Sequence, residues 1–238
     1  MKETGVLFNS GMVRAILDGR KTQTRRIIKH QPTVYGLKWI ETVEGFAAWR
    51  DPGLPLDDNS EDGGNCLRIC PFGKVGDHLW VRETFALEHQ MELGQKPPFD
   101  DGRPLANNLD GDNNALWIQP HYKATDPKPD LCYDDDIYDP GYPKVKWTPS
   151  IHMPRWASRI TLKITDVRVE RLQNITPFDC RKEGIQVFAG EELQEPGARR
   201  CDDVIYIHSY MRYWESVYGK GSWSKNPFVW AISFEVIK

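Results

Sequence analysis

Apolar positions along this chain come in two rhythms, one of strands and one of helices. Gly5-Val6-Leu7-Phe8-Asn9 is a short apolar run that predicts a strand. Met12, Val13, Ile16 and Leu17 then recur about one turn apart, which predicts a helix with one buried face. Asn9 or Ser10 can cap that helix, and Asp18-Gly19 can end it. Thr22 to Ile28 is rich in β-branched residues and reads as a strand. Leu37 to Trp49 reads as a hairpin around Glu44-Gly45, and Leu54 to Asn65 as a loop of Pro, Gly, Asp and Asn. Lys74-Val75-Gly76-Asp77 is a turn, and His78 to Phe85 a strand. Alternation there puts Glu83 on the face of Val81, with Arg82 pointing the other way.

From residue 90 to residue 143 the rhythm dissolves into Pro, Asp, Asn and Gly with isolated aromatics, the pattern of a long irregular insertion. Order returns with Met153-Pro154-Arg155-Trp156-Ala157-Ser158-Arg159 and a long strand from Ile160 to Arg171. Thr176-Pro177 opens a short helix that Gly184 stops. Val204 to Val217 is a heavily apolar helix ending at Gly219, and Phe228 to Ile237 closes the chain as a strand. Strands interspersed with short helices, without regular βαβ spacing, predict a mixed α/β (α+β) fold. We expect a small barrel carrying helices, with residues 1–238 as one domain.

The 238 residues are 39% hydrophobic and 27% charged, enough for a sizeable core. No apolar run is long enough to span a bilayer, and no apolar segment follows Met1-Lys2 as in a signal peptide. The expected location is therefore cytoplasmic, with no membrane partner. The five cysteines, Cys66, Cys70, Cys132, Cys180 and Cys201, are an odd set without a secretion signal, which argues against a disulfide framework. Cys66-x-x-x-Cys70 lacks a second ligand pair and the histidines are scattered, so no metal site is expected. Asp134-Asp135-Asp136 lacks the ligand order of a calcium loop.

Charge changes this picture locally. The net charge is −3, yet Gly19-Arg20-Lys21-Thr22-Gln23-Thr24-Arg25-Arg26 is strongly basic. A helix-to-strand junction there can set the Lys21 amine beside the Thr24 hydroxyl, with arginines close by. That equipment holds an anion and activates a hydroxyl nucleophile. The plain alternative makes Thr24 a strand residue and Lys21 a cation at a helix end. In the second basic segment, Trp156 can stack a base while Arg155 or Arg159 meets a phosphate, or it can plug one end of the barrel. Glu83 is either a site carboxylate or one half of a structural ion pair. Trp80, Trp230 and the Tyr210–Trp214 helix face are expected in the core.

Gly19-x-Lys21-x-x-Thr24-x-Arg26 after an N-terminal helix resembles the signature of ASCH domains, members of the PUA-like superfamily. Gly76-Asp77 before Leu79-Trp80-Val81-Arg82-Glu83, the Ile175-Thr176 and Glu183-Gly184-Ile185 segments, and the closing Pro227–Ile237 strand are similar too. The longer layout is similar to an ASCH group of phages and prophages. The family commonly has glutamate where this chain has Thr24. In that respect the chain is similar to bacterial ASCH amidohydrolases acting on N4-acetylcytidine.

The resemblance implies a PUA-like β-barrel with flanking helices, recognition of a nucleoside or RNA, and amide hydrolysis of an N-acylated cytidine-type base, with no cofactor. It implies Lys21, Thr24 and Glu183 as catalytic residues, Thr24 as nucleophile and Glu183 as general acid/base. Arg25, Arg26, Glu83, Arg155 and Arg159 are the expected substrate- or phosphate-binding residues, with Arg26 foremost at the oxyanion or phosphate. Two other classes fit the same residues: a non-catalytic module that binds RNA or a modified base, and a phage assembly protein.

Overall fold

A computed structural model of the chain describes residues 1–29, 31, 38–41, 47–50, 67–91, 116–129, 147–187 and 202–237. Among the described residues ten strands occur in chain order: β1 (Glu3–Leu7), β2 (Gln23–Ile27), β3 (Lys38–Glu41), β4 (Ala47–Arg50), β5 (Leu67–Ile69), β6 (His78–Arg82), β7 (Phe85–Met91), β8 (Leu116–Tyr122), β9 (Thr161–Arg171) and β10 (Phe228–Val236). The α-helices among the described residues are α1 (Ser10–Leu17), α2 (Pro177–Lys182) and α3 (Asp202–Tyr218). The fold is mixed helix and strand. Five strands form one sheet in the order β1-β6-β9-β10-β2, and the described strands do not close it into a barrel. β3, β4 and β5 form a second sheet, and β7 pairs with β8.

The chain divides into two compact units. One comprises Met1–Thr4, Ala15–Leu79 and Leu162–Ile237; the other comprises Gly5–Arg14 and Trp80–Thr161. In the first unit β10 lies between β2 and β9, antiparallel to both. Its centre is apolar, with Val229, Ala231 and Ile232 all at 0% exposure, as a central strand flanked on both edges requires. Its register with β9 shifts between Ser233 and Phe234, an irregularity of the β-bulge kind.

α2 forms because its first turn is fully provided for. The Thr176 side chain accepts from the Asp179 N–H, the Asp179 carboxylate accepts from the Thr176 N–H, and Pro177 occupies the first helical position, where its missing N–H costs nothing. The helix stops at Gly184, whose φ of +84° suits a residue without a side chain. Leu172, Ile175, Cys180, Tyr210, Trp214 and Val229 form a core cluster in this unit, all at 4% exposure or less. Tyr210 and Trp214, four residues apart, lie on one face of α3, so that face is packed rather than open.

In the second unit, β7 and β8 pair antiparallel from Phe85↔Tyr122 to Met91↔Leu116. Phe85, Met153 and Ala157 form its core, with Tyr122 and Trp156 packed against them. Trp156 is half-buried against this cluster, and the Tyr122 hydroxyl donates to the Ala157 carbonyl at 2.8 Å.

Several boundaries differ from the sequence reading. The single strand expected from His78 to Phe85 is interrupted at Glu83-Thr84, and Phe85 begins β7. The stretch 90–143, read as irregular, contains β8; its consecutive Leu116-Trp117-Ile118 and its Pro120 give no period-2 alternation. Trp80 is half-buried rather than core, because Leu79 (0%) and Val81 (1%) take the inward face and alternation sends Trp80 the other way. The turn at Glu44-Gly45, the loop 54–65 and the Asp134–Asp136 triplet lie outside the described residues.

Gly184 and Gly219 both adopt positive φ, but only Gly184 is crowded. A Cβ there would stand 2.9 Å from the Ala15 Cβ and 3.1 Å from the Lys21 Cβ, whereas at Gly219 it would meet nothing within 4 Å. Gly184→Ala is therefore expected to lose about 2–4 kcal/mol, backbone strain and overpacking together, and Gly219→Ala about 1 kcal/mol. Urea unfolding of the two variants checks the order; equal losses would contradict the packing at Gly184.

A buried lysine–glutamate centre as candidate functional site

Lys21 stands just before β2, and an isolated antiparallel bridge joins it to Glu183 at the end of α2. The Thr22 N–H donates to the Lys182 carbonyl at 2.8 Å, and the positive φ of Gly184 turns the chain away immediately afterwards. This backbone arrangement brings together two residues 162 positions apart. Lys21 Nζ lies 2.7 Å from Glu183 Oε2, 3.0 Å from the Glu183 carbonyl and 2.7 Å from the Gln23 carbonyl. Both side chains are essentially shielded from water, at 0% and 2% exposure.

An ammonium has three N–H donors, and these contacts use all three. Burial lowers the Lys21 pKa from its ordinary value; the Glu183 carboxylate opposes the shift, while Arg26 and Arg25 add to it.

Arg25 extends the centre into a charge network. Its Nη1 donates to Glu183 Oε1 at 3.1 Å and to Gln23 Oε1 at 2.7 Å, and its Nη2 lies 2.5 Å from Glu170 Oε1 and 3.3 Å from Asp179 Oδ2. Arg168 completes the circuit, donating from Nε to Glu170 at 3.1 Å and from Nη2 to Asp179 at 3.0 Å. Burial works against the charge of Arg25, yet the attraction of Glu183, Tyr210 and Glu170 prevails and its pKa is raised. Burial would raise Asp179, but the Thr176 hydrogen bond and the charge of Arg25 hold it below its ordinary value. Cys180, pushed up to about 12 by burial, is an inert core thiol rather than a nucleophile.

Thr24 is placed differently from the expectation. It pairs with Ile232 across to β10, while Gln23 and Arg25, its neighbours in β2, carry the polar network. Strand alternation sends Thr24 to the opposite face, where it is buried at 1% exposure. None of the three Lys21 donors goes to it. Arg26 sits opposite Trp230 in the same register, half-buried, and its charge reaches Lys21.

The remaining expected residues belong to the other unit. Glu83, at 2% exposure, is held by Arg159 through Nε–Oε1 at 3.0 Å and Nη2–Oε2 at 3.1 Å, and the Arg159 guanidinium lies 4.0 Å from the Tyr122 ring centroid. Burial raises the Glu83 pKa against the pull of Arg159. This pair satisfies itself as a fork, which is the structural role weighed for Glu83. Arg155 is exposed.

Sequence reasoning missed Glu170 and Arg168 on β9 and Asp179 on α2, because charged residues on a strand or a short helix read as solvent-facing until the element packed against them is known. It also missed a cavity of about 470 Å³ lined by Arg20, Arg181, Ile185, Gln186, Val187 and Tyr206. Arg181 lies 4.4 Å over the Tyr206 ring, and Arg20 Nη1 donates to the Gly184 carbonyl at 3.3 Å. The cavity wall thus includes the residue before Lys21 and the residues following Gly184.

Among the described residues no group of His, Cys, Asp or Glu is arranged to hold a metal ion, and no helix is long and apolar enough to cross a membrane. Cys70 is buried, and Cys66, its partner in the CxxxC spacing, lies outside the described residues, as do Cys132 and Cys201.

The lowered Lys21 pKa sets a sign for stability against pH. Between the folded value and the ordinary 10.5, the unfolded chain binds a proton that the folded chain lacks, so this contribution to stability rises with pH through that window. Lys21→Met is expected to remove that rise relative to the parent, as read from unfolding midpoints at a series of alkaline pH values. Glu183→Gln, which strips a buried ammonium of its counter-charge, is expected to cost about 3 kcal/mol.

Comparison with protein-family models, with curated proteins and with solved structures finds no match to this chain.

Proposed function

We propose that this chain is an ASCH-type protein of PUA-like architecture that recognises a nucleoside or an RNA base in the cytoplasm, without metal or cofactor. The observation that carries this reading is the cationic, aromatic-walled cavity of about 470 Å³ beside the Lys21–Glu183 centre. Its volume falls in the range of small-molecule sites. The Tyr206 ring with the Arg181 guanidinium over it offers a cationic stacking surface for a base, Ile185 and Val187 an apolar wall, and Arg20, which also pairs with Asp18, a donor for a ring carbonyl or a phosphate. The lysine–glutamate centre fixes the backbone behind that wall. In this reading Lys21, Arg25 and Glu183 are positioning residues. The finer architecture, a PUA-like barrel with flanking helices, belongs to the same proposal and rests on the resemblance together with the five-stranded sheet.

A second reading, amide hydrolysis of an N4-acylated cytidine, is favoured by one observation: a lysine of lowered pKa hydrogen-bonded to a carboxylate at 2.7 Å. The Thr24 hydroxyl would attack the acyl carbon and pass its proton to neutral Lys21. The carbon–nitrogen bond would break as a proton reached the leaving N4 from the Lys21–Glu183 pair, and water would then cleave the Thr24 ester. This route needs the Thr24 hydroxyl at Lys21 Nζ, and strand alternation directs it to the other face. Binding is accordingly the better supported reading.

The test is calorimetric titration with cytidine and N4-acetylcytidine, followed by chromatography of the recovered ligand. We expect binding without release of cytidine, weakened roughly tenfold in Tyr206→Leu and Arg181→Gln and little changed in Thr24→Val. Cytidine release kept in Thr24→Ser and lost in Thr24→Val would establish the hydrolase instead. A folded protein that takes neither nucleoside would remove both readings.

A further inference from the structure

The second unit carries a surface that the cavity does not explain. In β6, Leu79 and Val81 are inward at 0% and 1% exposure, while Trp80 and Arg82 leave the strand on the opposite face, both half-buried. The indole lies against Gly5 of β1, where a Cβ would stand 2.7 Å from Trp80 Cζ2 and 2.9 Å from Arg82 Cδ. Two guanidiniums lie over the ring. That of Arg82 is 5.2 Å from the centroid, and that of Arg155, an exposed residue, is 6.0 Å away. Arg82 is anchored by a hydrogen bond from Nη2 to the Ile151 carbonyl, and Arg155 Nη2 lies 3.3 Å from Thr161 Oγ1. Among the described residues no carboxylate pairs with Arg82, and its Nε is buried without a hydrogen-bond partner.

A half-buried indole backed by a glycine, with two guanidiniums over its ring, places a π system and positive charge together. An acidic protein segment complements the charge but not the ring. A single-stranded nucleic acid complements both, with a base on the indole and its flanking phosphates on the arginines. We propose that Trp80, Arg82 and Arg155 form a contact site for a nucleic-acid single strand, separate from the nucleoside cavity. Trp80 stacks one base, and Arg155 and Arg82 meet the phosphates on either side of it. The site stands on different residues from the cavity and does not depend on the cavity's being occupied.

Fluorescence anisotropy of labelled ten-nucleotide oligo-U and oligo-dT, titrated with the full chain at several salt concentrations, tests this. Wild type is expected to bind with affinity falling as salt rises. Arg155→Gln, at an exposed position, should reduce the slope of log affinity against log salt by about one. Trp80→Leu should weaken binding roughly tenfold, and Trp80→Phe, which keeps a ring, should recover most of it.

Circular dichroism and the thermal midpoint of each variant separate lost contact from lost fold. A purely structural Trp80 would move the midpoint and leave the affinity of the folded protein unchanged, and that result overturns the proposal. So does the absence of oligonucleotide binding by wild type at low salt. Displacement of the oligonucleotide by poly-glutamate equally well from wild type and Trp80→Leu would also overturn it, pointing to an acidic protein partner. Nucleoside titration of the same samples keeps the two sites apart: Trp80-dependent oligonucleotide binding by a protein that takes no nucleoside would uphold this site while the cavity reading falls.

Discussion

A buried ammonium must find three acceptors or give up its proton, and in this protein Lys21 finds them in the two oxygens it reaches on Glu183 and in the Gln23 carbonyl. Much else in the first unit follows from that requirement. The chain after α2 must come within backbone bonding distance of the chain before β2, which the Lys21–Glu183 bridge and the Thr22–Lys182 hydrogen bond accomplish. Gly184 must lack a side chain, because Ala15 and Lys21 fill the space a Cβ would take. α2 must start at a defined residue, which the reciprocal bonds of Thr176 and Asp179 secure.

The charges around this centre are arranged to cancel locally. Lys21, Arg25 and Arg168 face Glu183, Glu170 and Asp179, and each carboxylate meets at least one cation. A buried network of this kind adds little net stability over a well-packed apolar one, but breaking any member leaves an uncompensated charge. Its physical effect is to make one arrangement of α2 against β2 much better than near alternatives. Asp179 shows the economy of the design: one carboxylate caps its own helix and also neutralises Arg25 and Arg168.

Arginines with similar surroundings in the sequence end in different physical states. Arg25 has no exposed side-chain surface and is committed to carboxylates. Arg159 is forked onto Glu83 and stacked on Tyr122. Arg181 lies over Tyr206 at the cavity, and Arg155 is exposed beside Trp80. A guanidinium already saturated by a buried carboxylate has little capacity left for a phosphate.

Periodicity and punctuation in the chain were enough to locate α1, β2, β9, α2, α3 and β10 to within a few residues. These signals are local: Asn9 capping α1, Thr176-Pro177 opening α2, and glycines at 184 and 219 closing helices through positive φ. The packed Tyr210–Trp214 face was legible for the same reason. β8 was not, because a short strand containing proline carries a weak period-2 signal and is recognised by its pairing with β7. Resemblance suggested Lys21, Thr24 and Glu183 as neighbours, yet which two of them meet depends on the Lys21–Glu183 bridge and on the face from which the Thr24 side chain leaves β2, set by its register against β10. The partners of Arg25, the saturation of Arg159 by Glu83 and the half-burial of Trp80 are likewise properties of the assembled tertiary fold. Charge–charge contact and burial depend on distances between residues far apart in the chain, and no local pattern of residues encodes those distances.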